Sequence, residues 1–92
     1  MKLMEGVIVV PNGKDHVLVT AGAAQAVFSG MIVLNDSATR IVQAMQEETT
    51  EQALVEMMKN TFDISEETAR GAVARVLGQL TKLGLIIQEE QI

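Results

Sequence analysis

Few side chains in this sequence could do chemistry. His16 is the only histidine and there is no cysteine. Nucleophilic catalysis needs an activated hydroxyl, thiol or amine beside a base, and a zinc site needs three or four N, S or carboxylate ligands. One imidazole beside Asp15, at the start of an expected strand, supplies neither set and reads as a surface or partly buried residue. Without cysteine the chain can form no disulfide, thiolate metal site or thiol nucleophile, which fits a reducing compartment. The acidic group Glu47, Glu48 and Glu51 straddles an expected helix start, where the helix dipole favours negative charge. Together with Glu89 and Glu90 it reads as solvated charge. The seven glycines make no G-x-G-x-x-G and no phosphate loop, so nucleotide binding has no support. The expectation is a chain with no catalytic residue, no metal ligand set and no cofactor, and therefore not an enzyme.

Composition narrows the remaining classes. Ninety-two residues suit one domain over positions 1–92, with one modest core. The chain is 48% hydrophobic, yet its aromatics are only Phe28 and Phe62. The core must therefore be built from Val, Ile, Leu, Met and Ala, and no Trp or Tyr is present to stack bases or sugars. Twelve acidic against seven basic residues leave a net charge of −5, which opposes the phosphate neutralisation that drives nucleic-acid binding. The longest apolar runs, Val7 to Val10 and Met31 to Leu34, fall far short of the roughly 20 residues of a membrane span. Met1-Lys2-Leu3-Met4 is followed at once by Glu5-Gly6, without the apolar stretch of a secretory signal, so a cytoplasmic location is expected.

The elements that must carry any function follow from periodicity. Gly6-Val7-Ile8-Val9-Val10 and His16-Val17-Leu18-Val19-Thr20 flank Asn12-Gly13 and predict a hairpin, with Pro11 ending the first strand because it cannot donate to a ladder. Ala21 to Ala26 is expected as a small-residue connection. Met31-Ile32-Val33-Leu34 predicts a third strand, stopped by Asn35-Asp36-Ser37. The apolar period then changes from 2 to 3.6. Ala38, Ile41, Val42 and Met45 give helix one its face behind an Asn35 or Asp36 cap. Thr49 with Gln52 fits a capping box for helix two, whose stripe is Leu54, Met57, Met58 and Phe62. Ser65, followed by Glu66 and Glu67, caps helix three, which ends at Gly84 after about 18 residues, or about 27 Å. Leu85-Ile86-Ile87 is a short extended close. Three strands followed by three helices predict an α+β domain, with the helices on one face of a small antiparallel sheet whose edges are exposed.

Two features invite a binding reading. Met45, Met57 and Met58 are adaptable side chains, but they lie on apolar faces and are expected in the core, with Met31 the least bound to it. On helix three, Ala69, Val73, Val76, Leu77 and Leu80 make one face, while Gly71, Arg75, Gly78 and Lys82 line the opposite side. Each interior glycine costs about 1 kcal/mol relative to alanine, so the stripe either merely faces water or admits another backbone. Ala72, Gln79 and Leu83 lie between these faces, where they could wall a groove beside the sheet.

Four stretches in this order and spacing resemble the PqqD-like proteins, named for the D protein of pyrroloquinoline quinone synthesis. They are Glu5-Gly6 before a strand, Phe28-Ser29-Gly30-Met31-Ile32-Val33-Leu34-Asn35-Asp36-Ser37, Phe62-Asp63-Ile64-Ser65-Glu66-Glu67-Thr68-Ala69, and Leu80-Thr81-Lys82-Leu83-Gly84-Leu85-Ile86. The resemblance runs from Glu5 to Ile87 and implies a winged-helix-like fold of three strands and three helices. It further implies a recognition element for ribosomally made, post-translationally modified peptides. Such a protein captures a precursor's leader as an extra strand and presents it to a modifying enzyme, often a radical S-adenosylmethionine enzyme. Carried over, the receiving edge is Met31, Ile32, Val33 and Leu34, and the facing helix wall comes from Ala72, Val76, Gln79 and Leu83, with Arg75 nearby. The implied partners are the leader peptide and the enzyme, without nucleic acid or membrane, and the implied state is a monomer or weak homodimer. Helix one departs from the family's pattern, because Thr39-Arg40-Ile41-Val42 stands where aromatics are common.

Two other classes stay open at this point. One is a winged-helix DNA binder, opposed by the acidic balance and by the lack of a basic recognition helix. The other is a small structural subunit whose sheet edge joins an enzyme partner permanently.

Overall fold

The computed structural model of the protein describes residues 1–88. Strand β1 is Lys2–Leu3, β2 is Val7–Asn12, β3 is Asp15–Thr20, β4 is Met31–Leu34 and β5 is Ile86–Ile87. The helices are α1 (Ala23–Val27), α2 (Asp36–Ala44), α3 (Glu51–Phe62) and α4 (Glu66–Leu83). An antiparallel sheet of order β2-β3-β4 precedes the three long helices, the expected α+β arrangement. A second sheet pairs β1 with β5 and so joins the two ends of the described chain.

The hairpin turns on Gly13 and Lys14, one residue later than the Asn12-Gly13 pair suggests, because Asn12 still pairs with Asp15. Contrary to expectation, Pro11 does not end β2. The Ala21 N–H donates to the Gly6 carbonyl at 2.9 Å, which makes Gly6 and Ala21 a hydrogen-bonded pair. Antiparallel ladders alternate, so Ile8↔Val19, Val10↔Val17 and Asn12↔Asp15 are the bonded pairs that follow. Pro11↔His16 falls between them, where a missing N–H removes no ladder bond from an edge strand.

The Gly6 site also has no room for a side chain. Its φ is 103°, and a Cβ there would lie 2.2 Å from the Ala21 carbonyl oxygen. Between β3 and β4 the small-residue connection winds into the single short helix α1, and the Thr20 hydroxyl donates to the Phe28 carbonyl at 2.6 Å, tying the entry of β4 back to β3.

Helix boundaries follow their caps. Asn35 Oδ1 accepts from Ala38 N–H at 2.8 Å to start α2, and Ser65 Oγ accepts from Thr68 N–H at 3.1 Å to start α4. The cap of α3 is Thr50, which accepts from Ala53 N–H at 3.1 Å, and not Thr49 with Gln52. Thr49 is held by its own N–H to the Met1 carbonyl at 2.9 Å, while the Gln52 amide donates to Glu56 and accepts from Arg70. Gly84 closes α4 in the left-handed conformation, φ 77°, its N–H bonded to carbonyls of the last turn. Beside the α4 start, Arg70 and then Lys59 hold the Glu66 carboxyl below its ordinary pKa.

The core lies between the inner sheet face and the helices. Leu18, Ile41, Val42, Met45, Leu54, Met58, Val73 and Leu85 are fully enclosed, and Leu3, Val7, Leu34, Ala69 and Leu80 join them. Each large aliphatic side chain so buried contributes about 1.5–3 kcal/mol. Met45 and Met58 are core residues as expected, Met57 packs against the core from its rim, and Met31 stands outside it. Among the described residues no helix is long and apolar enough to cross a membrane.

Candidate functional site

Among the described residues strand β4 pairs on one side only, with β3. The alternation set by the Gly6–Ala21 bond turns the N–H and C=O of Val17 and Val19 toward β2, and those of His16 and Leu18 toward β4. Hence Ile32 and Leu34 hold β4 in the sheet. Met31 and Val33 direct their own N–H and C=O outward along the free edge. Side chains follow the same alternation. Ile32 and Leu34 face the core, whereas Met31 and Val33 stand on the outer face, 65% and 64% exposed. Two unpaired donor–acceptor sets therefore recur along an edge that carries no Pro, Lys or Glu.

Beside this edge lies a groove of about 190 Å³, where the end of β4 and the first turn of α2 face the middle of α4. Val33, Leu34, Asn35, Ser37, Ala38, Ala72, Arg75, Val76 and Gln79 line it. Six of the residues implicated from sequence thus share one cavity: Val33, Leu34, Ala72, Arg75, Val76 and Gln79. Met31, Ile32 and Leu83 do not line it. Met31 lies further along the edge, Ile32 faces the core, and Leu83 packs against the core from beyond the groove. Sequence reasoning missed Asn35, Ser37 and Ala38. Asn35 and Ala38 were legible as cap and helix face, but nothing in their spacing says that the α2 start approaches α4.

The groove divides into two parts. Its floor is Leu34, Ala38, Ala72 and Val76, with Leu34 and Val76 buried. Its rim is Arg75 and Gln79, one turn apart and both exposed. No carboxylate lines it, and Arg75 enters none of the ion pairs among the described residues, which involve Met1, Lys59 and Arg70. Gly71 and Gly78 stay outside it, each facing open space with nothing within 4 Å of an added Cβ.

His16 lines a separate cleft of about 370 Å³ with Asp36, Thr39, Arg40, Gln43 and Phe62. His16 Nδ1 and Thr39 Oγ1 are both buried without a hydrogen-bond partner among the described residues. Among the described residues no group of three His, Asp or Glu could hold a metal ion. Glu48 accepts from the Met1 ammonium, Glu47 and Glu51 face solvent, and Glu89 and Glu90 lie outside the described residues.

Over residues 5–86 the sequence matches the family described as coenzyme PQQ synthesis protein D, PqqD. The chain belongs to the PqqD family. The match takes in the four stretches that carry the resemblance, from Glu5-Gly6 to Leu85-Ile86, and both walls of the groove. Two solved structures share the PqqD-family chain's fold. One is described as TbiB1 in complex with the TbiA(beta) leader peptide; it is 15% identical, covers 99% of this chain and 100% of that chain, and superposes with a TM-score of 0.74. The other is a lasso peptide synthetase B1 complexed with the leader peptide, 17% identical over 95% of this chain and 96% of that one, with a TM-score of 0.70. Comparison with curated proteins gives no match.

Proposed function

We propose that this protein is a non-catalytic, cytoplasmic recognition element that captures the leader of a ribosomally made precursor peptide as a fourth strand on β4. It then presents the peptide to a modifying enzyme. The observation that carries this reading is the unpaired main chain of Met31 and Val33, beside a groove whose opposite wall is α4. An extended segment bonded to that edge satisfies donors and acceptors otherwise left to water, and its alternate side chains enter the groove. Membership of the PqqD family supports the reading, as do two structural neighbours described as complexes with leader peptides. Affinity then comes mainly from backbone bonds and selectivity from the groove.

The peptide contacts in this reading are the outward main chain of Met31 and Val33, on a strand that Ile32 and Leu34 anchor to β3, the side chains of Ala72, Val76, Arg75 and Gln79, and Leu83 where the ligand extends past the groove. The modifying enzyme is assigned to the radical S-adenosylmethionine class on the family resemblance alone. A DNA-binding role is disfavoured by the net charge of −5 and by a groove with a single cation.

Titration of the 15N-labelled protein with the leader of a short precursor encoded in the same gene neighbourhood tests the proposal. Amide shifts confined to β4, the α2 start and the middle of α4 are expected. Shifts centred on the β1–β5 end, or no binding, would refute it.

A further inference from the structure

The groove's charge runs against the charge of the chain. The sequence carries twelve acidic and seven basic residues, yet among the described residues the groove is lined by one cation and no carboxylate. Arg75 lacks an ion-pair partner among the described residues, although Arg70, five positions earlier on the same helix, is paired with Glu66 at 2.7 Å. Its neighbours add donors. Gln79 carries an amide, Ser37 a hydroxyl, and Asn35, whose Oδ1 accepts in the α2 cap, still carries two Nδ2 hydrogens to donate. A guanidinium among such groups recognises a carboxylate better than any neutral acceptor, because charge-assisted bonds are roughly twice as strong as neutral ones.

Spacing says where that carboxylate must stand. From Ala72 to Gln79 the α4 wall rises about 10 Å, at 1.5 Å per residue. Side chains on one face of an added strand recur every two residues, about 6.6–6.8 Å apart. The wall therefore meets two successive groove-facing side chains. The apolar end at Leu34, Ala38 and Ala72 offers room for one of them, and Arg75 and Gln79, exposed and further along α4, are within reach of the next. The domain's net negative charge repels an acidic peptide at long range, but that field is largely screened beyond about 8 Å at physiological ionic strength. Contact with Arg75 decides the outcome.

Resting on the reading of β4 and the groove as a peptide site, we infer that the recognised segment carries an aliphatic residue and an acidic residue two positions apart, the carboxylate seated on Arg75. A random dodecapeptide library displayed on phage and selected against the full chain tests this. Selections on Arg75→Glu and Val33→Pro proteins run in parallel. The expected result is enrichment of Asp or Glu two positions from Leu, Ile or Val, loss of enrichment on Val33→Pro, and a switch to Lys or Arg on Arg75→Glu. In a synthetic binder, replacing the acid by its amide should weaken affinity by about 2- to 5-fold, less so at high salt. Binders that need an intact Val33 edge but show no acidic preference would overturn the inference and leave the groove standing. Binders indifferent to Val33→Pro would overturn both.

Discussion

Pro11 stands opposite His16 in a pair that exchanges no main-chain hydrogen bonds, so the donor that proline lacks is missing from the free side of β2 and not from the ladder. The sheet has two edges, and this residue makes them unlike: one is blocked by a proline, and the other, β4, is open.

Restoring the donor should make β2 adhesive. Pro11→Val is expected to promote concentration-dependent self-association in sedimentation velocity, while the monomer's unfolding free energy changes by no more than about 1 kcal/mol. A variant that sediments like the parent across the same concentrations would show that Pro11 does not guard the edge.

Thr39 carries a buried hydroxyl with no partner, on a helix residue only 5% exposed. Valine keeps the shape and the β-branch while removing the unsatisfied group. Thr39→Val should raise the unfolding free energy by about 1–2 kcal/mol, read in urea with an unchanged slope. A loss of stability would mean that the hydroxyl is bonded in solution.

Gly71 and Gly78 face open space outside the groove. Replacing either with alanine should stabilise the fold by up to about 1 kcal/mol, because the helix interior no longer holds a residue of high backbone entropy. Leader affinity should be unchanged in the same variants. Weaker binding by a more stable protein would show that the stripe admits a partner's backbone after all.

What was legible in the sequence had a local physical cause. Asn35 and Ser65 announce helix starts because their side chains bond an amide three residues on, and Gly84 announces an end because the left-handed cap suits it. Illegible parts lacked such a cause or had two candidates for it. Thr49 and Thr50 are equally good caps, and the contest is settled by the distant Met1 carbonyl, which engages Thr49. The extended close at Leu85-Ile86-Ile87 was legible and holds β5, but its partner β1 is two residues long, too short for any period to register, so their pairing across almost the whole chain was not. Helix α1, at five residues, shows barely more than one turn. Pro11 was misread because its meaning depends on hydrogen-bond phase, which only the register reveals. The groove was half legible for the same kind of reason. Residues on β4 and α4 could be placed on faces, but the approach of Ser37 and Ala38 to α4 is a tertiary fact.

In the proposed function a peptide binds by main-chain bonds to the outward side of β4. Val33 is the position that tests it, since it faces Val17 in a non-bonded pair, its side chain is exposed, and its N–H points away from the sheet. Val33→Pro should remove one donor from the edge and obstruct an incoming strand while leaving the ladder to β3 intact. Calorimetric titration of Val33→Pro and Val33→Ala with the cognate leader, with folding checked by circular dichroism, separates backbone from side-chain loss. We predict that the proline variant stays folded and binds at least about tenfold more weakly than the alanine variant. A folded Val33→Pro protein that binds as tightly as Val33→Ala would contradict the account and move the site off β4.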